Sequence, residues 1–288
     1  MTGRQPDNDA GSETGGETGQ AISANRTLWD GLVDDHLKAP LYDVAGFLAG
    51  ADRLGPIESR EVGDVAGKRL LHLLCRFGLD TLCWARRGAT VTGVDIAPKA
   101  IAAARDLARQ SNLAATFIAS DVRTCQPHLT PPYDIVFMSW GALCWLPDMD
   151  ELARLVAANL APGGVFYVVD GHPMAGAADE DWSPADGVVR LKWNYQTGRR
   201  PDTAIWNNDY AGSNSAAPGL PAHEWAHGLG RIVTALTAAG LVIDFLHEHD
   251  VAAWRCMRGL EPATDHMWRL PAGVAQMPLS FSLLARKP

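Results

Sequence analysis

Basic clusters, paired cysteines and long apolar runs are all missing from this sequence of 288 residues. No run of five or more Lys and Arg occurs and the formal net charge is −8, so no basic face is predicted for binding nucleic acid. The five cysteines form no C-x-x-C pair, which argues against a disulfide framework or a zinc knuckle. No apolar run approaches the ~18 residues that span a bilayer, and no apolar signal segment begins the chain. We therefore expect a globular protein of the reducing cytoplasm, with no nucleic-acid or membrane partner.

Short apolar runs alternate with helical patterns from residue 69 onward. Strands are predicted at 69–74, 90–95, 115–119, 134–139, 165–170, 241–247 and 279–284, and helices at 79–87, 98–110, 149–160 and 224–239. Strand and helix in alternation, with short links, predict right-handed crossovers and a mostly parallel sheet that is buried on both faces. The expected fold is therefore a Rossmann-like, doubly wound α/β domain.

Composition divides the chain into four parts. Residues 1–24 are polar and small, which predicts a disordered tail, and apolar residues at helical spacing predict an N-terminal helical cap over 25–65. The core is expected to comprise 66–170 and 221–288. Between them, 171–220 is rich in Gly, Pro, Asn and aromatic residues, and so long an irregular stretch is typical of a lid or binding insertion.

Two acids end neighbouring strands, and no glycine loop for phosphate precedes them. Asp95 follows the second strand and can accept both hydroxyls of a ribose, while Asp121 follows the third and can accept an adenine amino group. A nicotinamide enzyme would need G-x-G-x-x-G in the first turn, where Leu74 and Arg76 stand. The pattern indicates a nucleoside cofactor that carries no phosphate.

With these features the chain resembles the class I S-adenosylmethionine-dependent methyltransferases. The resemblance is carried by LLHLLCRFG, GATVTGVDIAPKAIAAAR, ASDV, YDIVFMSWGALCWLPD, LAPGGVFYVVDGHP and ALTAAGLVIDFLHEHD. It implies a seven-stranded sheet with an antiparallel last strand, S-adenosylmethionine as the methyl donor, and a small-molecule substrate. A non-catalytic regulatory protein that binds the same cofactor is the alternative, and both monomer and homodimer remain open.

The resemblance also implies where the methionine part of the cofactor lies. The turn from His72 through Cys75 to Gly78 would face it, and Ser139 would lie beneath the sulfonium. His72 stands where the family carries an acid that helps to hold the cofactor's amino group. Backbone carbonyls are the substitute that we expect at this point.

For the adenosine part, the resemblance implies contacts from the next two strand ends. Asp95 would hold the ribose and Ile96 would pack on the adenine, while Asp121 and the Val122 backbone would read the adenine edge. The N-terminal helix would close over the cofactor through Trp29, His36 and Tyr42.

Two histidines are candidates for a general base, because an unperturbed imidazole titrates near neutral pH. They are His172, just past the fifth strand, and His227; His172 alternatively only shapes the turn before Pro173. Trp140 and Trp145 either contact cofactor or substrate or belong to the core.

One further motif competes with this interpretation. His223, Glu224 and His227 form H-E-x-x-H, which on a helix places two imidazoles on one face for zinc, as in a metallohydrolase. Val233 stands where the extended motif has its third histidine, so we expect no metal here.

Overall fold

The computed structural model describes residues 10–206, 210–212 and 219–288, with side chains from residue 16. Its helices are α1 Ala10–Gly31, α2 Val33–His36, α3 Val44–Leu48, α4 Pro56–Val62, α5 Leu79–Arg86, α6 Pro98–Gln110, α7 Met149–Asn159, α8 Pro173–Ala177 and α9 Leu229–Ala238. Its strands are β1 Arg69–Leu73, β2 Thr90–Asp95, β3 Thr116–Ala119, β4 Tyr133–Ser139, β5 Leu160–Gly171, β6 Asp202–Ile205, β7 Pro221–Glu224, β8 Val242–His249, β9 Val251–Ala252, β10 Glu261–Pro262, β11 Trp268–Arg269 and β12 Ser280–Arg286. In the described residues no helix combines the length and the apolar composition needed to cross a bilayer.

The central sheet has the strand order β3-β2-β1-β4-β5-β12-β8. The pairs among β1 to β5 are parallel, whereas β12 lies antiparallel between β5 and β8. The predicted fold class, including the antiparallel last strand, is confirmed. Ligands of such sheets bind beyond the carboxyl ends of the strands, where the strand order reverses between β1 and β4.

Alternate residues of the central strands enter two different hydrophobic clusters. On β4, Val136 and Met138 pack in the cluster that includes α7 and α9, while Ile135 and Phe137 pack on the opposite face beside Trp84 of α5. Both faces are apolar because helices cover both, which explains why these strands appear in the sequence as nearly unbroken apolar runs.

The N-terminal segment differs from its prediction. Residues 10–24, predicted to be disordered, belong to the long helix α1, and residues 1–9 lie outside the described part of the chain. Ala21 and Ile22 pack against Trp225, and the Asn25 side chain exchanges hydrogen bonds of 2.7 and 2.9 Å with the backbone of His223. The apolar surface that orders α1 comes from residues 200 positions away, so the local composition could not predict it.

The cap extends beyond the predicted insertion. β6 pairs antiparallel with β7, so this hairpin carries the insertion past residue 220 to Glu224. A second segment between β8 and β12 forms a small sheet of order β10-β11-β9, where the sequence predicts core. Its strands are two residues long, too short to show a periodicity.

The predicted helix over 224–239 begins only at Leu229, and the H-E-x-x-H motif is therefore not helical. His223 and Glu224 end β7, opposite Thr203 and Asp202 of β6. Consecutive strand residues point to opposite faces, so His223 and Glu224 diverge. Gly228 precedes the first turn of α9 in an extended conformation, which places the helix start after the motif.

Candidate functional site

A cavity of about 1320 Å³ lies beyond the carboxyl ends of the parallel strands. The strand ends form its floor, and the segments outside the central sheet, from α1 to α4 and from β6, β7 and β9 to β11, form its roof. All the predicted cofactor-binding and catalytic residues except His36 line it: Trp29, Tyr42, His72, Cys75, Gly78, Asp95, Ile96, Asp121, Val122, Ser139, Trp140, His172 and His227. The tertiary structure thus brings together residues that the sequence separates by up to 198 positions.

The turn after β1 adopts a left-handed backbone at every second residue. Leu74, Arg76 and Gly78 have φ angles of 55°, 54° and 75°. A Cβ on Gly78 would lie 2.6 Å from the Phe117 ring, so both backbone and packing require glycine there. Leu74 and Arg76 keep the backbone that glycine favours at a cost of about 1 kcal/mol each.

Asp95 holds this turn from the end of β2. Its carboxylate accepts the backbone N–H of Arg76 at 2.7 Å and that of Ala97 at 2.9 Å. Burial raises the pKa of Asp95, and the two amide hydrogen bonds and the nearby Arg76 charge oppose that rise. The half-buried acid is therefore fixed beside the turn, and its contact with a ribose stays a prediction.

Asp121 lies at the end of β3 but its carboxylate is already engaged. It accepts the backbone N–H of Arg123 at 2.9 Å and pairs with the Arg123 guanidinium at 2.6 Å. Val122 is buried next to it. The contact of Asp121 and Val122 with the adenine edge stays a prediction.

His72 cannot supply the charge of the acid that it replaces. Its Nδ1 lies 2.8 Å from the Thr81 hydroxyl and its Nε2 lies 3.4 Å from the Ser139 hydroxyl, and burial lowers its pKa to about 3. Asp80, which sequence reasoning missed, accepts the Ser139 hydroxyl at 2.8 Å from the first turn of α5. An acid in that turn is common as a helix-stabilising residue, so the sequence gave no distinct signal.

A second missed acid, Glu58 of α4, lies at the same end of the cavity and is only 1% exposed. Its Oε1 accepts the Gly55 amide at 2.6 Å and the Trp140 indole N–H at 3.1 Å, while its Oε2 has no partner among the described residues. Burial and the charge of Asp80 raise the pKa of Glu58 to about 7. Arg53, paired with Asp43 at 3.3 Å, lines this end too.

Aromatic rings line the roof around one guanidinium. Arg76 lies 4.6 Å from the Trp29 ring centroid and 4.9 Å from that of Tyr42, and it donates to the hydroxyls of Tyr42 and Tyr210. His36 packs on the Tyr42 ring at 5.6 Å. Trp29 and Tyr42 therefore line the cavity from above, as the resemblance implies.

The two base candidates differ in their free nitrogen atoms. His172 uses both: Nδ1 accepts the Met174 amide at 3.0 Å, capping α8, and Nε2 lies 2.9 Å from Glu248. His227 donates Nε2–H to the Leu146 carbonyl at 2.7 Å, which leaves Nδ1 as a lone-pair acceptor. Burial lowers the pKa of both, so both are neutral near pH 7. Only His227 retains a basic nitrogen.

The zinc arrangement is not formed. His223 turns its Nδ1 to the Thr203 hydroxyl at 2.9 Å, while His227 bonds to the Leu146 carbonyl. The two imidazoles have separate partners on separate segments, and the shared helix face that a metallohydrolase uses is not present.

Comparison with known proteins agrees with the fold and the floor of the cavity. The methyltransferase domain family matches residues 70–164, from β1 into β5. Residues 70–164, about a third of the chain, thus match a methyltransferase domain. The match agrees with the predicted resemblance, and S-adenosylmethionine as the methyl donor enters the proposal below.

Individual relatives cover this domain to different extents. The ubiquinone biosynthesis O-methyltransferase of Bordetella avium is 33% identical over 106 residues, which are 36% of this chain and 44% of that protein. The chain spans about half the length of the curated relatives it matches. An S-adenosylmethionine-dependent methyltransferase from Mesorhizobium loti shares the fold with a TM-score of 0.57 and 22% identity, covering 83% of this chain and all of that one. A second solved structure, described as concerning conversion of a disulfide bond into a thioacetal group in echinomycin biosynthesis, has a TM-score of 0.53 and 20% identity. The match covers 88% of this chain and 87% of that one.

Proposed function

We propose that the protein transfers a methyl group from S-adenosylmethionine to a small molecule held under its roof. Two features found together carry the proposal. Asp95 is fixed beside a left-handed turn, and it lines a cavity of about 1320 Å³ that continues beneath an aromatic roof. The floor provides an adenosine site, and the remaining volume provides space for a second molecule.

The charged groups at the α4 end fit the amino-acid tail of this cofactor. Among the described residues Glu58 has a buried oxygen without a partner, and the half-buried Asp80 carboxylate is close enough to raise its pKa. An ammonium group would give both carboxylates a counter-charge, and Arg53 at the same end can receive a carboxylate. We infer that Asp80 and Glu58 replace the acid that the first strand lacks.

The cofactor, when bound, supplies an electrophilic methyl group on a sulfonium leaving group. The protein's part is then to align the acceptor and to exclude water, a contribution of several kcal/mol in such reactions. Ser139 and the turn from Cys75 to Gly78 position the methionine part. Of the two histidines, His227 keeps a nitrogen, Nδ1, that can take a proton, whereas His172 stabilises the start of α8.

The substrate class follows from the enclosure of the site. The roof has inward-facing tryptophans and the chain is acidic overall, so we infer a small-molecule acceptor and no nucleic acid. The described cysteines are all free, which agrees with a cytoplasmic location.

Calorimetry with S-adenosylhomocysteine tests cofactor binding, and a metabolite panel that follows S-adenosylhomocysteine release tests transfer. Binding with turnover supports the proposal. Binding with no turnover on any metabolite would favour a non-catalytic regulatory protein, and tight binding of a dinucleotide alone would overturn the assignment. A metal assay on the same sample tests the zinc alternative, because a stoichiometric ion would contradict the geometry at His223 and His227.

A further inference from the structure

Four carboxylates gather at the opposite end of the cavity, which we call the β7 end: Asp170, Glu180, Asp202 and Glu224. Glu180 accepts the Lys192 ammonium at 2.7 Å and the Trp193 indole at 2.8 Å, and Asp202 accepts the Asn194 amide at 2.6 Å. Asp170 accepts backbone amides within 3.0 Å from Gly141, Ala142, Leu143 and Gly171. Three of the four acids are thus satisfied by the protein itself.

Glu224 is the exception. Among the residues that the structure describes, no donor lies within hydrogen-bond distance of its carboxylate, although it lies on the cavity wall. Burial and the negative charges of Asp202, Asp170 and Glu180 raise its pKa to about 7. No positive group among the described residues offsets these effects, so within that part of the chain an anion here is left without a partner unless a ligand supplies one.

A series of aromatic rings also lines this cavity. Trp206 lies 6.1 Å from Trp145 and 6.0 Å from Tyr210, and Tyr210 lies 6.3 Å from Trp254, measured between ring centroids. Such rings attract cations. The Arg76 guanidinium beside Trp29 shows that this aromatic surface already holds one.

No cation is among the charges that shift the pKa of Glu224 in the described residues, although Arg258 lines the same end and its backbone amide bonds to the Glu180 carbonyl. Arg123 pairs with Asp121, Arg53 with Asp43, and Arg255 contacts the Trp268 ring at 5.4 Å. An acidic acceptor would therefore meet repulsion at the β7 end, and a neutral one would leave Glu224 without a counter-charge.

We propose that the β7 end binds the amino group of the methyl acceptor, with Glu224 as its carboxylate partner and proton acceptor. The acceptor is accordingly a small amine with an apolar or aromatic skeleton. This inference rests on the methyltransferase function proposed above and specifies its substrate class.

Methyl transfer to an amine requires that one proton leave the acceptor and that one C–S bond be exchanged for one N–C bond. The acceptor enters as an ammonium ion and gives one proton to the Glu224 carboxylate, which leaves a neutral amine. The nitrogen lone pair forms the new N–C bond while the C–S bond breaks and its electron pair stays on sulfur. The product is a methylated ammonium ion and a neutral thioether, and the proton on Glu224 passes to solvent.

Three ligands of one skeleton test the charge preference directly: phenethylamine, 2-phenylethanol and phenylacetate. Calorimetry and tryptophan fluorescence follow their binding, with and without S-adenosylhomocysteine. We expect the amine to bind roughly tenfold or more tightly than the alcohol, and the carboxylate most weakly. Equal binding of amine and alcohol, tighter binding of phenylacetate, or no binding of the amine would each overturn the proposal.

Glu224→Gln preserves shape and removes the charge, so it should erase the preference for the amine. His223→Ala is the matched control, because its side chain contacts Thr203 on the other face of β7 and should leave the preference intact. Both variants should bind S-adenosylhomocysteine as the unchanged protein does. Retention of the amine preference in Glu224→Gln would contradict the assignment. If S-adenosylhomocysteine does not bind at all, the methyltransferase proposal fails, while the ligand series without it still decides this one.

The pH profile provides a readout that a purely structural role of Glu224 would not change. With an amine acceptor, we expect kcat/KM to fall as pH decreases below about 7, because Glu224 is then protonated. This limb should be lost in Glu224→Gln. The other titratable groups that face Glu224 are Asp170, Glu180, Asp202 and Cys144, and a profile unchanged by the substitution would assign the limb to them or to His227.

Discussion

The floor and the roof of the cavity both contain buried or half-buried acids, but the acids of the two regions differ in their hydrogen-bond partners. On the floor, Asp95 and Asp170 accept two or more backbone amides each. On the roof, Glu58 has one unpartnered oxygen and Glu224 has no donor within the described residues. The pKa of each roof acid is raised to about 7.

This difference indicates two roles for the acids, one in organising loops and one in binding a ligand. The floor acids organise the loops that follow the strands, and this arrangement is complete without a ligand. The roof acids are compensated less, since Glu58 accepts hydrogen bonds through one oxygen only and Glu224 accepts none from the described residues. This pattern is typical of groups that meet a charged ligand. Asp95 of the floor lies within the residues 70–164 that match the methyltransferase domain family, whereas Asp170, Glu58 and Glu224 lie outside them. The unusual chemistry of this protein is therefore expected in the roof.

The largest effect is expected from Gly78→Ala, which tests how rigid the floor is. A Cβ there would lie 2.6 Å from Phe117 and would also require a strained φ, so we expect a loss of about 4 kcal/mol of stability. Gly67→Ala is the control, since φ is also positive (73°) and the Cβ would meet open space. It should cost only about 1 kcal/mol. Denaturant unfolding measures both losses of stability. Equal losses in the two variants would show that the residues around Gly78 rearrange to accommodate the added Cβ.

Glu58→Gln tests the cost of the roof acid. Because the folded-state pKa is raised from 4.5 to about 7, the contribution of Glu58 to stability is full below pH 4.5 and is lost as pH rises through 7. The variant should therefore gain about 3 kcal/mol relative to wild type between pH 4.5 and pH 8.

On the same helix, Glu61→Gln should show the opposite trend. Its pKa is lowered, with hydrogen bonds from Ser282, His247 and Tyr167 outweighing the rise that burial causes. Its contribution is present above pH 4.5 and lost as pH falls, so removal should destabilise at pH 8 and matter less in acid. Thermal unfolding of both variants at the two pH values checks the pair, and parallel trends would refute this distinction.

Asp95→Ala tests the floor as a binding surface. Removing the acceptor of the Arg76 amide should weaken S-adenosylhomocysteine binding by about 100-fold, which calorimetry measures. Asp64 accepts the Ala66 amide two residues on, as Asp95 does with Ala97, but is exposed. Asp64→Ala should leave the affinity unchanged, and a similar loss in both would indicate a general effect of removing the turn.

The smallest effect is expected from Asp80→Asn. Asparagine keeps an acceptor for the Ser139 hydroxyl but loses the charge that an ammonium group would contact. Binding of S-adenosylhomocysteine should weaken about tenfold, whereas 5′-methylthioadenosine, which has no amino-acid tail, should bind as before. Should both nucleosides lose affinity alike, Asp80 supports the turn and not the tail.

Sequence patterns predicted the floor better than the roof. The strands from β1 to β5 were predictable because burial on both faces leaves continuous apolar runs, and Asp95 because it ends one of them. Glu58, Asp80 and Glu224 gave no such signal as binding residues. An acid in the first turn of a helix or in a hairpin looks like an ordinary surface residue until its surroundings are known.

The sequence by itself determined the layered α/β core, its strand-end acids and the family resemblance, since these depend on periodicity and local spacing. The tertiary structure decided that α1 is ordered from residue 10, that H-E-x-x-H ends a strand, and which acids remain without partners. Each of these depends on contacts between distant segments, such as Asn25 with His223, and the energy of burying a charge is fixed only when all its neighbours are in place.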